Sequence, residues 1–153
     1  MRKIELPSLS EEIYLETGRL ILLFSYIEWL VANILLLCQL SPIEYASIEN
    51  LSITQRYFEV LLKLNFSRKL AILSGLGFDS SKLGELGEYR NMFAHGIIFE
   101  GESPILKRSS SPNSAGIGLQ KNDISKNIES LKEEGGKLIE FLKSKGYKPK
   151  EHV

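Results

Sequence analysis

The chain has 153 residues, with 19 Lys and Arg against 19 Asp and Glu, and a formal net charge of zero. That length suits one domain with one core, and that balance excludes a polybasic nucleic-acid binder while leaving room for a local RNA-contacting patch. The single cysteine, Cys38, has no partner for an intramolecular disulfide and lies in an apolar run. It reads as a small buried residue in a reducing, intracellular setting.

The elements follow in chain order. Glu5, Ser8, Ser10, Glu11, Glu12 and Glu16 fill the N-terminus, which lacks the basic-then-apolar pattern of a secretory leader. Residues 10–40 read as one long helix, with cap hydroxyls and first-turn acids at its start and Pro42 as its stop. Its stretch from Leu20 to Leu40 is long enough to cross a membrane. Yet it carries Ser25, Glu28, Asn33 and Gln39, no basic cluster flanks it, and a mid-bilayer carboxylate costs roughly 2.5–3.5 kcal/mol or more. A helix at the centre of a bundle or at a subunit interface is the better reading, with no membrane contact. Glu28 is the sole charge in that run, and a buried carboxylate needs a partner.

Tyr57, Phe58, Leu61, Leu62 and Leu64 give a helical pattern over 53–64. Ser67 is placed to cap a short helix through Leu73, which Gly75 and Gly77 end. Asp79, Ser80 or Ser81 opens the next helix, through Leu83, Leu86, Tyr89, Met92 and Phe93 to Gly96. Ile97 to Phe99 and Ile105-Leu106 flank a turn-like Gly101 to Pro104, as in a small hairpin. Residues 107–118 read as a flexible loop rich in Ser, Gly, Pro and Asn. A last helix starts at Asn122-Asp123-Ile124-Ser125 and runs to Leu142, with Gly135-Gly136 expected to weaken or bend it. The tail 147–153 is expected to fray. The expected fold is all-α: a four-to-five-helix bundle over 1–153, with a short β-hairpin and loop insert before the last helix.

The densest chemistry lies in Arg90-Asn91-Met92-Phe93-Ala94-His95-Gly96. A guanidinium grips phosphate with paired hydrogen bonds, and an imidazole moves protons near neutral pH. Asn91 and His95 are four apart on one helix face, so the amide can hold one ring nitrogen. Arg90 can swing its long side chain to the same mouth. The bland alternative is an arginine and a helix-end histidine lying close by accident. No CxxC, HExxH, GxSxG or phosphate loop appears, so neither a metal site nor a cofactor is expected.

Arg90, Asn91 and His95, together with the order of helices, resemble the HEPN superfamily (higher eukaryotes and prokaryotes nucleotide-binding). Its signature is Arg, four to six residues, then His, often with a polar residue after the Arg. The resemblance implies a helical bundle and a metal-independent endoribonuclease of toxin–antitoxin or defence type. Such enzymes work as homodimers with two motifs in one cleft, so an RNA substrate, a cytoplasmic location and an antitoxin or defence partner are implied. It further implies that an acidic or polar residue of the first helix faces the motif, which favours Glu28 as the partner of Arg90. Solvent or another cation is the alternative for Glu28. One departure bears on the partner: Ile97 stands where antitoxin-modified relatives carry Tyr.

Chemistry independently favours the dimer. Cleavage by 2′-hydroxyl attack needs a base and an acid, and of the chain's two histidines His152 lies in the tail. A two-fold axis near His95 supplies the second proton handler. Lys107 and Arg108 are candidate RNA-backbone contacts, with solvated loop charges as the alternative. A catalytically silent HEPN-like dimer that binds nucleotides or protein is the competing function.

Overall fold

The computed structural model describes residues 3–38, 59, 61, 63–99, 104–108 and 116–146. Four helices dominate them: α1 (Glu11–Leu37), α2 (Phe66–Gly75), α3 (Ser81–His95) and α4 (Lys121–Ser144). Between α3 and α4 lie β1 (Gly96–Phe99), β2 (Ile105–Arg108) and β3 (Ile117–Gly118). The predicted helix over 53–64 lies mostly outside the described residues, as do the Pro42 stop, residues 109–115 and the tail from 147.

Helix α1 starts where Ser10 accepts a hydrogen bond from the Ile13 amide, which satisfies one orphan donor of the first turn. It is the axle of the fold, and α2, α3 and α4 all pack on it. Leu20, Phe24, Ile27, Val31, Ile34 and Leu35 are buried along its length. α1 is long and apolar enough to cross a membrane, and half of its most apolar window is buried inside the fold.

Its other side is not covered by the described chain. Leu22 is 74% exposed, and Leu15, Tyr26 and Trp29 are about half exposed. Leu15, Leu22 and Trp29 repeat every seven residues, so they form one stripe. Gly18 and Ser25 lie between them on the same side, and a Cβ added at Gly18 would meet nothing within 4 Å. Tyr26 stacks on Trp29 with ring centroids 5.8 Å apart.

The cap of α2 differs from expectation. Asn65, not Ser67, accepts from the Arg68 amide at 2.9 Å. The other end closes in a Schellman motif. The Phe78 amide reaches the Leu73 carbonyl, the Gly77 amide reaches that of Ser74, and Gly77 takes φ +103°. At α3 the N-cap is Ser80, whose side chain makes no cap hydrogen bond, while Asp79 before it accepts from the Ser81 amide and hydroxyl. Those hydrogen bonds hold its carboxyl below the usual range. Ser80 is turned inward and donates to the Leu70 carbonyl.

Helix α4 is continuous through Gly135-Gly136, contrary to the predicted weakening. A Cβ at Gly135 would come within 3.0 Å of Ile27 Cδ1, so this glycine lets α4 approach α1 closely. That packing offsets the helix-propensity cost of roughly 1 kcal/mol. Two carboxylates are buried at this interface, each with a partner. Glu16 takes Arg19 and Ser125, and Glu134 takes Lys137.

The insert is more ordered than a hairpin and loop. β1, β2 and β3 form an antiparallel sheet in that order, with Gly96 opposite Arg108, Ile97 opposite Lys107 and Leu106 opposite Ile117. Lys107, Arg108, Ile117 and Gly118 therefore belong to strands, not to a flexible loop. The cause is Leu106, which is buried under α3 and anchors β2. Gly96 ends α3 by turning to an extended backbone, φ −81° and ψ 166°, and not through a left-handed turn. An added Cβ there would overlap the Met92 carbonyl and come within 2.6 Å of Leu106 Cδ1.

Tyr89 packs edge-on against Phe93 at 5.1 Å, and its hydroxyl is buried without a partner among the described residues. Burial, and to a lesser extent the Asp123 charge, pushes this phenol up to about 12. Tyr89→Phe should therefore stabilise the fold by about 1 kcal/mol at neutral pH, because it removes an unsatisfied buried group. The unfolded tyrosine ionises near 10, so the wild type should lose stability as pH rises from about 10 to about 12. The variant should lack that component. Thermal melts of both proteins across this range check it, and identical pH dependence would overturn it.

Candidate functional site

The C-terminal half of α3 supplies the site. Gly84, Glu88, Asn91 and His95 recur at i, i+4, i+7 and i+11 and so share one helix face. Gly84, Gly87, Glu88, Arg90 and Asn91 line a cavity of about 430 Å³ that Glu28 of α1 and the first turn of α2 complete. His95 is not part of that lining. It is exposed at the helix end, about 6 Å farther along the axis than Asn91.

Arg90 is held from two sides by α1. Its Nη2 donates to Glu28 Oε1 at 2.6 Å. Its guanidinium carbon lies 4.6 Å from the centroid of the Phe24 ring. Phe24 and Glu28 are four apart, so one turn of α1 presents an aromatic face and a carboxylate together. The Arg90 Nε is buried with no partner among the described residues, while the side chain as a whole keeps 23% exposure and Glu28 32%. The guanidinium is thus aimed by fixed neighbours while part of it stays open.

The expected residues come together unequally. Arg90, Asn91 and Glu28 border one cavity, and His95 stands on the rim side of the same helix face. No hydrogen bond joins Asn91 to His95 among the described residues, contrary to the expectation that the amide holds the ring. Both side chains are exposed, so water competes for each. The antiparallel register sets Arg108 opposite Gly96, so the backbone of β2 runs beside His95. Lys107 is half-buried in β2.

Lys69 was not anticipated. It is 3% exposed, lines the same cavity, and its ammonium has no hydrogen-bond or ion-pair partner among the described residues. The sequence carries a signal for it. Phe66, Lys69, Leu70 and Leu73 sit at i, i+3, i+4 and i+7, which puts a lysine on the inward stripe of α2. Cys38, read as buried, is only half so, and burial raises its thiol.

No known family, curated protein or solved structure matches this chain.

The Glu28–Arg90 pair lies between the exposed and fully buried regimes, so its loss costs less than a sealed pair would. Glu28→Ala should destabilise by about 1–2 kcal/mol, a fall of about 3–6 °C in Tm for a chain of this size. A double-mutant cycle with Arg90→Met reads the coupling directly. A coupling energy of zero would remove the pair as the device that aims Arg90.

Proposed function

We propose that this protein is a HEPN-like, metal-independent endoribonuclease that acts as a homodimer. The observation that carries the reading is the fixed Arg90 guanidinium, held by Glu28 and Phe24, on a helix that ends in an exposed histidine. The chemistry on offer around α3 consists of cations, an amide, carboxylates and the His95 imidazole. It suits a phosphodiester whose charge is stabilised without reorganisation at the moment of reaction.

In this mechanism His95 of one protomer takes the proton of the RNA 2′-hydroxyl, and the oxygen attacks the adjacent phosphorus. The bond from phosphorus to the 5′-oxygen breaks, and His95 of the partner subunit protonates that oxygen. The products are a 2′,3′-cyclic phosphate and a 5′-hydroxyl. Arg90 stabilises the added charge on the phosphoryl oxygens. Asn91 positions the phosphate, and the Lys107–Arg108 strand tracks the RNA backbone beside His95. A toxin or defence role, a cytoplasmic setting and an antitoxin or defence partner belong to the same reading.

The exposed stripe of α1 supports the dimer. Leu15, Leu22 and Trp29 alternate with Gly18 and Ser25, so bulky and small positions of two copies are complementary about a two-fold axis. Glu28 follows Ser25 by three residues and flanks that stripe.

Arg90→Ala and His95→Ala should each lower cleavage of a single-stranded RNA in EDTA by at least about 10³-fold, with helical circular dichroism unchanged. An equally active His95→Ala protein would sink the mechanism. Nucleotide or protein binding with no cleavage at all would favour the silent module.

Leu22→Glu should convert a dimer, of twice the 17.3 kDa chain mass, into a monomer by light scattering and abolish cleavage with it. A wild-type protein that stays monomeric at the concentrations where it cuts RNA would refute the composite site.

A further inference from the structure

We infer that the cavity between α2 and α3 is a phosphate-binding pocket, distinct from the His95 position, with Lys69 as its principal cation. Three features converge on it. The first is Lys69 itself, a residue that is 97% buried and lines the cavity, and whose ammonium has no hydrogen-bond or ion-pair partner among the described residues. A side chain so shielded leaves its ammonium little room for water, and an anion in the cavity offers it a partner.

The second is the start of α2, a ten-residue helix. Asn65 satisfies the Arg68 amide, which leaves the Phe66 and Ser67 amides of the first turn for another acceptor. Both residues line the cavity. Helix N-termini of this kind favour anions through oriented N–H groups and the macrodipole.

The third is Arg90. One terminal nitrogen is committed to Glu28, its Nε is sealed, and the guanidinium still borders the cavity. Two acidic residues share the lining. Glu28 is bound to Arg90, and Glu88 is exposed at the rim.

The ligand chemistry is a phosphate carried by a nucleotide. A volume of about 430 Å³ falls within the range of small-molecule sites, roughly 300–1,000 Å³, and exceeds what bare phosphate fills. Asn91 lies on the same helix face as His95, one turn short of it. The pocket therefore sits where the phosphate next to a scissile one, or that of a free mononucleotide, would lodge. This deepens the nuclease reading, and its test is kept separate from catalysis.

The probes are inorganic phosphate and adenosine monophosphate, titrated into the full chain with EDTA by calorimetry and by amide chemical-shift perturbation. Both should bind, with the largest shifts at Phe66 and Ser67. Lys69→Met should weaken binding at least tenfold. Gly84→Asp provides a second variant, because Gly84 lines the cavity and a Cβ there meets only Leu70 Cδ1 at 4.0 Å. It should weaken both probes while Tm holds.

Competition by an uncleavable oligodeoxynucleotide, with a raised KM for RNA in Lys69→Met, assigns the phosphate to a bound strand. Binding of the mononucleotide without such competition assigns it to a free nucleotide. No binding of either probe at millimolar concentration, or wild-type affinity in both variants, overturns the proposal. A protein that binds phosphate but cuts no RNA would sink the nuclease reading alone. His95-dependent cleavage without phosphate binding would sink only the pocket.

Discussion

Helix α1 sets the positions of everything else that is described. It is apolar on nearly every side, so each of the other helices has to bury a stripe against it, and α4 does so most closely. Gly135 allows that approach, because any side chain there would press on Ile27. The same helix that supplies the hydrophobic contacts also supplies Phe24 and Glu28, the two groups that hold Arg90. Stability and site geometry therefore rest on one element. A change that tilts α1 to improve its packing would also move the carboxylate that aims the guanidinium.

The charge distribution around α3 divides its two ends by purpose. Toward the middle of the helix, Arg90 is held by Glu28 and Phe24 and Lys69 is shielded, an arrangement that the proposed function would use to meet a phosphate in one orientation. At the end, His95 is exposed, and no residue of the described chain engages its ring. In the proposed mechanism, a proton handler placed in this way gains its partner and its exclusion of water only when another surface covers it. The uncovered stripe of Leu15, Leu22 and Trp29 offers the means to bring such a surface.

Much of this was legible in the sequence where one local rule sufficed. The apolar periodicity of α1, α3 and α4 marks them, and the spacing of Arg90, Asn91 and His95 marks the face they occupy. Glu28 stood out as one charge in a greasy run, and its ion pair with Arg90 spans 62 residues of chain. What the sequence concealed needed long-range packing. Asn65 and Ser67 are equally good caps on paper, and the fold uses Asn65. Gly135-Gly136 reads as a break unless Ile27 is known to lie opposite. Lys107 and Arg108 read as the start of a loop unless Leu106 is known to be buried beneath α3, which carries the strand on to Arg108. Lys69 hid for a similar reason, since a lysine is ordinarily assigned to solvent and only its place in the Phe66–Leu73 stripe argues otherwise.

The junction of α3 and β1 has no spacer, since His95 closes the helix and Gly96 opens the strand. The imidazole is consequently indexed to the sheet. Gly96 pairs with Arg108, and the crowding at Gly96 against Leu106 leaves that alignment little play. A slip by one residue would carry the chain about 3.3 Å along the strand and invert which faces its side chains occupy. The hydrogen bond to a reacting oxygen that the proposed mechanism asks of His95 tolerates only a few tenths of an ångström. The small sheet, which contributes little to the core, thus works as a ratchet tooth that fixes how far out the ring stands.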